Sequence, residues 1–153
     1  MNILHTYTLV TEALSKARNI QSQIGQKQLD IKLQDIHQQY QISGNNPIEA
    51  AFARQQILHD IELLTINRDA YISQAIDEAV GIITLEVENN VDPILSVGSL
   101  AFGNIISFID AYQIRVSISF STRVKISQLS NMLILKGVRY LDLKYKVDRF
   151  RTY

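Results

Sequence analysis

Apolar residues recur every three or four positions along two long stretches in the first part of the chain. The first stretch covers residues 3–41, and the second covers residues 47–90. This period is typical of amphipathic helices, so we predict one long helix over each stretch. The apolar stripe of the first helix changes face near Gly25, which predicts a kink or a short break there.

Four residues, Ser43-Gly44-Asn45-Asn46, separate the two predicted helices. Gly44 is a typical C-cap, and Asn46 is a typical N-cap for a helix that starts at Pro47 and has Glu49 at its third position. A turn this short joins antiparallel neighbours. Residues 1–92 are therefore predicted to form a long αα-hairpin.

This hairpin is longer than a compact domain of 153 residues requires. At about 1.5 Å per residue, its second helix extends over roughly 60 Å. Large apolar residues are scarce near the turn and frequent where residues 4–14 meet residues 71–87. We therefore expect the core to lie at the base of the hairpin and the tip to project from it.

The C-terminal part of the chain shows a different pattern. Apolar and polar residues alternate over residues 113–120 and again over residues 138–147. Residues 122–136 between them have helical spacing, with Ser121-Thr122 as the expected cap and Gly137 as the expected end. Alternation is typical of a half-buried strand, so the order strand, helix, strand predicts a βαβ-like module.

The predicted fold class is therefore α+β, a long N-terminal helical hairpin followed by a small C-terminal module. Residues 93–153 are expected to form one cooperative domain with the base of the hairpin. Two alternatives stay open. One makes residues 131–135 a strand in an antiparallel meander, and the other is an all-α bundle in which the C-terminal segments are helical.

Residues 93–109 form a stretch of seventeen residues without a charge. This is shorter than the ~20 residues of a membrane-spanning helix, and the stretch contains three serines and one asparagine. We expect a buried helix or an apolar packing surface here, not a membrane segment. Residues 1–10 contain no Lys or Arg and no long apolar run, so no signal peptide is indicated and cytoplasmic synthesis is expected.

The net charge of zero hides a division of charge along the chain. Residues 1–92 contain six Lys or Arg against twelve Asp or Glu, and residues 93–153 contain nine against three. The two parts therefore have opposite signs. This favours electrostatic contact between the acidic part of one molecule and the basic part of a neighbour.

The sequence lacks the residue patterns that carry catalysis. It has no Cys, which excludes disulfides, thiol nucleophiles and thiolate metal sites. Its three histidines, His5, His37 and His59, lack the spacing of a zinc helix, and neither a nucleophile elbow nor a phosphate-binding loop is present. Asp77 and Glu78 are adjacent and do not face each other on a helix. We predict no enzymatic activity, no metal site and no cofactor.

The C-terminal tail combines basic and aromatic residues. Its basic members are Arg139, Lys144, Lys146, Arg149 and Arg151. Basic side chains bind phosphates and exposed aromatic rings stack on bases, so a nucleic-acid-binding adaptor is one interpretation. In the predicted strand, however, Tyr145 points inward, and the acidic Asp142 and Asp148 lie beside the lysines. Both features weaken this interpretation.

The long helices, the division of charge and the lack of a catalytic motif together predict a non-enzymatic structural subunit of a larger protein assembly. By analogy alone, suitable settings are a phage or virion tail or neck component and a part of a secretion apparatus. The expected partners are copies of the chain itself or other subunits, with nucleic acid as the alternative. Contact of residues 93–109 with a membrane is a further alternative that the sequence disfavours. Apolar residues near the hairpin tip are expected to contact neighbouring helices: Leu29, Leu33, Ile36 and Tyr40. The basic tail is expected to complement the acidic part of a neighbouring subunit.

Overall fold

The computed structural model describes residues 1–39 and 47–153, which are mostly helical. The α-helices are α1 (Ile3–Gln39), α2 (Pro47–Glu88), α3 (Val97–Ala111), α4 (Phe120–Lys136) and α5 (Leu141–Asp148). Short 3-10 helices lie at Pro93–Leu95, Val138–Tyr140 and Arg149–Thr152. The described residues contain no strand. The α+β fold class with its βαβ-like module is therefore wrong, and the all-α alternative describes the fold.

Helices α1 and α2 form the long antiparallel hairpin that the helical spacing predicts. Polar contacts between the two helices fix their register: Gln21 with Arg68, Lys27 with Asp60, and Asp35 with Arg54. The residue numbers of each pair add up to 87 or 89, as expected for antiparallel helices. Helix α1 continues through Gly25 without the expected break. The turn at residues 43–46, with its caps Gly44 and Asn46, lies outside the described residues.

The hydrophobic core lies at the base of the hairpin, where α3, α4 and α5 cover it. Helix α3 contacts both α1 and α2, and its residues Ala101, Phe102 and Ile105 are fully buried. The largest fully buried side chains include Val10, Ile72, Ile76, Ile82, Ile83, Val87, Ile126, Leu133, Val147 and Phe150. The uncharged stretch of residues 93–109 supplies most of α3, so the buried helix expected there is present.

The second stretch of alternating residues is helical in the structure. Its buried residues are Tyr140, Leu143 and Val147, and together with Phe150 just after the stretch they follow the three- and four-residue spacing of a helix. Leu143 and Val147 are four positions apart, and this distance fits one face of a strand as well as one face of a helix. Tyr145, which a strand would turn toward the core, is 60% exposed. The alternation was therefore misleading because two of its inward positions belong to both patterns.

The first stretch of alternating residues is a non-helical segment over residues 114–119. Its even-numbered residues are buried: Ile114, Val116 and Ile118. The backbone N–H of Ser117 donates to Asp69 (3.0 Å) and that of Ser119 donates to Ser73 (3.1 Å) on α2. Asp69 and Ser73 are four residues apart on a helix, which advances about 6.0 Å over that distance. Ser117 and Ser119 are two residues apart on an extended chain, which advances about 6.6 Å. The spacing of the acceptors therefore matches that of the donors. Side chains of α2 thus accept the backbone hydrogen bonds that a neighbouring strand would accept in a sheet.

Helix α4 agrees with the helix expected over residues 122–136 and excludes the strand alternative over residues 131–135. The helix is capped by Ser119, whose hydroxyl accepts from the N–H of Thr122 (3.2 Å), and not by the expected Ser121-Thr122. Gly137 follows the helix with a φ of 93°. Glycine adopts this conformation without the steric cost that a side chain brings, which explains why the helix ends here.

Candidate functional site

The distal part of the hairpin is a two-helix arm, which we define as residues 25–39 of α1 and 47–67 of α2. Among its described side chains none is buried, whereas Ile24 and Arg68 at its root are. The two helices of the arm meet along a seam of half-buried residues: Lys27, Ile31, Gln34, Ala50, Arg54, Ile57, Ile61 and Leu64. Because isolated helices gain most of their stability from packing, a seam this thin gives the arm little stability of its own.

One apolar surface of the arm lies on α1 and consists of Leu29, Leu33 and Ile36, which we name the α1 stripe. These side chains are 47%, 45% and 46% exposed. Leu29 is two positions from both Lys27 and Ile31 in the seam, and two positions correspond to about 200° around a helix. The α1 stripe therefore faces away from α2. The fourth residue expected in this set, Tyr40, lies outside the described residues.

A second apolar surface lies on α2 and consists of Ile48, Phe52, Leu63 and Ile66, which we name the α2 stripe. Their exposed fractions are 65%, 71%, 49% and 58%. Phe52 is two positions from both Ala50 and Arg54 in the seam, so this stripe faces away from α1. Sequence analysis did not single out these residues. The signal was available, because they repeat at helical spacing on a face that the seam residues Ile57, Ile61 and Leu64 do not occupy.

The charged residues of the arm separate into paired and unpaired groups. Across the seam, Lys27 pairs with Asp60 at 3.6 Å, and Arg54 pairs with Asp35. Four charged residues beside the stripes make no ion pair with the described residues: Asp30 next to Leu29, Lys32 next to Leu33, Glu49 next to Ile48, and Glu62 next to Leu63. The α1 stripe is therefore flanked by one charge of each sign and the α2 stripe by two negative charges.

A buried polar cluster holds the root of the arm. Arg68 and Asp69 on α2 are each 6% exposed, and the guanidinium donates to Oδ1 of Asp69 at 2.9 and 3.0 Å. Arg68 also donates to Gln21 on α1 (2.8 Å) and to the carbonyl of Arg115 (3.2 Å), while Oδ2 of Asp69 accepts from Ser117. Buried charges require such partners. The cluster joins α1, α2 and residues 114–119 at the level where the arm leaves the core.

A second buried carboxylate, Glu86 on α2, holds the start of α3. It is 4% exposed and accepts from the hydroxyl of Ser96 (2.9 Å) and from the N–H groups of Val97 (2.9 Å) and Gly98 (2.8 Å). The N-terminus of a helix has free N–H groups and favours negative charge. Gly98 is required by this close approach, because a Cβ there would lie 2.3 Å from Cγ1 of Ile83. Glu86 therefore has a structural partner for its charge.

The basic residues of the tail do not converge on one site. Arg139 lies 3.7 Å from Asp92, Arg149 pairs with Asp110, and Lys146 donates to Ser99 at 3.1 Å. Lys144 and Arg151 both pair with Asp148, at 2.5 and 3.6 Å. Most of the positive charge that the sequence places in the tail is thus neutralised within the chain. Nζ of Lys144 lies 5.6 Å from the centre of the exposed Tyr145 ring.

Asp148 is the centre of the tail's ion pairs. Burial raises its pKa, but hydrogen bonds from Lys144 and Ser130 and the charges of Lys144 and Arg151 lower it by more, so the pKa lies below the ordinary value of an aspartate. The Ser130 hydroxyl donates to Oδ1 of Asp148 at 2.5 Å. The carboxylate therefore joins α4 to the C-terminal end of α5.

The polar residues of the described chain offer no arrangement typical of a catalytic or metal centre. All three histidines are exposed. No group of three or more His, Asp or Glu side chains in residues 1–39 and 47–153 lies close enough together to hold a metal ion. Every buried side-chain nitrogen and oxygen of these residues has a hydrogen-bond partner.

Comparison with protein-family models, with curated proteins and with solved structures gave no match. Among the described helices, none is both long enough and apolar enough to cross a membrane.

Proposed function

We propose that the protein is a non-enzymatic structural subunit of a larger protein assembly, and that the arm binds neighbouring subunits. The observation that carries this proposal is the arm itself. At about 1.5 Å per residue, its α2 part is roughly 30 Å long. The described residues of the arm bury no side chain, and eight large apolar residues are exposed, the seven members of the two stripes and Leu58.

Contact with other helices explains both properties of the arm at once. Exposed single apolar residues are common, but ordered stripes of them are typical of interaction surfaces. Helices of another chain laid along the stripes would bury these side chains and supply the packing that the thin seam lacks. The polar cluster of Arg68 and Asp69 at the root would hold the core in a fixed position relative to the bound arm.

The buried polar groups support a structural role in place of a catalytic one. The carboxylates of Asp69 and Glu86 are both occupied by hydrogen bonds that fix neighbouring segments. Long projecting hairpins suit the components of a phage or virion tail or neck and of a secretion apparatus, and this setting rests on analogy alone.

A nucleic-acid-binding adaptor has less support, because the basic tail is paired internally with Asp92, Asp110 and Asp148. Such an adaptor would bind nucleic acid with an affinity that falls steeply with salt concentration. It would also lose binding when Lys144, Lys146, Arg149 and Arg151 are changed to Glu.

The proposal is tested by site-specific photo-crosslinking of the full chain in the cells that make it. A photoreactive amino acid is placed at Leu33 in one variant and at Ile66 in another. The matched control carries it at Gln28, which is exposed on α1 one position from Leu29 and so about 100° around the helix. We expect protein adducts of defined mass from both stripe positions and none from Gln28. Absence of adducts from both stripes would overturn the proposal.

A further inference from the structure

We propose that the groove between α1 and α3 binds a small organic anion, whose charged group pairs with Arg18 and whose flat carbon skeleton lies on the apolar floor of the groove. The groove belongs to the base and not to the arm, so this inference does not depend on the proposed function. Its volume of about 430 Å³ lies within the range of roughly 300–1,000 Å³ that is typical of small-molecule sites.

Each of the two helices presents one face to the groove. On α1 the lining includes Tyr7, Leu14 and Arg18, at intervals of seven and four positions. On α3 it includes Asn104 and Phe108, four positions apart. These intervals place side chains on the same side of a helix. Leu14 and Phe108 belong to the core below the groove and are 5% and 4% exposed, so the floor is apolar.

The side chains at the ends of the groove favour a flat ligand. Tyr7 and Asn104 are the first lining residues of their helices, and the amide NH2 of Asn104 donates to the hydroxyl oxygen of Tyr7 at 3.0 Å. This bridge closes one end. Toward the other end, the rings of Phe108 and Tyr112 have centroids 5.3 Å apart and planes inclined by 58°. A flat carbon skeleton between the bridge and Tyr112 would contact both aromatic rings.

Arg18 supplies the positive charge of the groove. Its guanidinium carbon lies 5.8 Å from the centre of the Phe108 ring, a cation–π distance that places the charge above the floor. Within residues 1–39 and 47–153, no carboxylate forms an ion pair with Arg18. A guanidinium stays charged in proteins and has several N–H donors, which are available here to an anion.

The carboxylates nearest to the groove in sequence face away from it. Asp110 is two positions from Phe108, which corresponds to about 200° around α3, and it pairs with the tail. Glu12 is likewise two positions from Leu14 on α1. Among the described residues that line the groove, Arg18 is the only charged one. The groove is therefore positively charged, and this favours an anion as its ligand.

Hydroxyl groups add further donors. The hydroxyl oxygen of Tyr7 accepts from Asn104, and its own proton has no acceptor in the described part of the chain. The side chains of Ser107 and Tyr112 also line the groove, and neither hydroxyl has a hydrogen-bond partner among the described residues. A guanidinium binds a carboxylate or a phosphate through parallel hydrogen bonds, and hydroxyl groups can donate to the remaining lone pairs. The expected ligand therefore has one such head group on a flat apolar body.

Titration of the full chain, followed by the nuclear magnetic resonance shifts of its backbone amides, tests this site. The probes are naphthoate, naphthyl phosphate and the neutral naphthalenemethanol, which share a flat ring system and differ in charge. Because the rim of the groove is exposed, we expect dissociation constants for the better anion on the order of 1 mM or below. The shift changes should saturate and should be largest within residues 7–18 and 104–112.

Three variants separate the charge of the groove from its shape. Arg18→Gln should weaken the binding of the anions by about tenfold or more, because hydrogen bonds from a charged group are lost. Lys136→Gln is the matched control, since it removes one positive charge at an exposed residue of α4 that does not line the groove, and it should leave the affinity unchanged. Ala111→Phe keeps the charge but fills the groove with a ring, and it should also weaken binding. Ala111 is exposed, so the fold is expected to tolerate the larger side chain.

Tighter binding of naphthoate would support the site and assign a carboxylate head group, and tighter binding of naphthyl phosphate would support it and assign a phosphate. Failure of both anions to saturate the shifts up to about 10 mM would overturn the inference. Equal affinity for the neutral naphthalenemethanol, or wild-type affinity in Arg18→Gln, would overturn it as well. If Arg18→Gln does not fold, Ala111→Phe decides the question, and wild-type affinity in that variant would show that the anions bind elsewhere.

Discussion

Replacement of Glu86 by alanine tests whether a buried carboxylate on α2 holds α3 in place. The substitution removes the acceptor of Ser96, Val97 and Gly98. Hydrogen bonds to a charged group contribute about 1.5–3 kcal/mol, and a buried donor left without a partner costs about 1–3 kcal/mol. Val97 is half-exposed, so water can accept the hydrogen bond of its N–H group when the carboxylate is removed. Ser96 and Gly98 are buried, so water reaches their donor groups less easily.

Two partners that water does not replace give an expected loss of about 3–6 kcal/mol in the free energy of unfolding. That is a large part of the 5–15 kcal/mol typical of a folded domain. The measurement is urea denaturation followed by far-UV circular dichroism. Glu86→Gln should lower the free energy of unfolding by less, because one oxygen remains to accept from Ser96 and Gly98. It should still destabilise the protein, because the amide NH2 would face the N–H of Val97, and two donors cannot pair.

Glu88→Ala is the matched control for this experiment. Glu88 lies two positions away on the same helix, is exposed, and has no hydrogen bond or ion pair with the described residues. Its replacement should change the free energy of unfolding by less than about 0.5 kcal/mol. A loss for Glu86→Ala as small as that of the control would refute the argument that this carboxylate caps α3.

Three further predictions concern single positions in the base. Gln113→Gly should raise the free energy of unfolding by about 1 kcal/mol, because Gln113 has a φ of 50° that glycine adopts without steric cost. A lower free energy of unfolding, measured by urea denaturation, would show instead that the side chain of Gln113 stabilises the turn. Gly98→Ala should cost about 2 kcal/mol by overpacking against Ile83, and an unchanged thermal midpoint would contradict the close approach. The pKa of Asp148 is lowered in the folded state, so its stabilising contribution is present above the pKa of the unfolded chain and is lost as the pH falls through the folded value. Urea midpoints should therefore decrease below about pH 4, and Asp148→Asn should show a smaller decrease; equal slopes for both proteins would contradict this role.

The hairpin could be predicted from the sequence because its signals are local. Helical spacing, the absence of breakers and the concentration of apolar residues near the chain start all lie within single helices. The same spacing predicted that Leu29, Leu33 and Ile36 contact helices outside the hairpin, and these side chains are exposed in the structure. The α2 stripe was not predicted, because the spacing of Ile57, Ile61 and Leu64 indicates the inward face of α2 and gives no role to its outer face.

The C-terminal part was misjudged because periodicity over a short stretch is ambiguous. Leu143 and Val147 fit both a strand and a helix. The helical period is revealed only by Tyr140, which a strand would turn to the other face, and by Phe150, which lies after the stretch. Residues 114–119 do alternate between buried and exposed, but alternation does not specify the partner of the backbone. Here the partner is the row formed by Asp69 and Ser73 on α2.

The buried polar groups could not be found from the sequence because their partners are distant in the chain. Arg68 and Asp69 look like an ordinary exposed pair until residues 115–117 are placed beside them. Glu86 likewise belongs to an acidic stretch that suggests a solvated helix face. Such contacts follow from tertiary packing, and no local pattern encodes them.

The central claim, that the stripes of the arm bind neighbouring subunits, is tested most directly by the apparent mass of the species that contains the chain, measured by size-exclusion chromatography of lysates from the cells that make it. The wild-type chain should elute in a species larger than its 17.4 kDa monomer. Phe52→Asp should lower the apparent mass to that of the monomer, while Gln28→Asp should leave it unchanged. Elution of the wild-type chain at 17.4 kDa, or a larger species that Phe52→Asp does not reduce, would contradict the account.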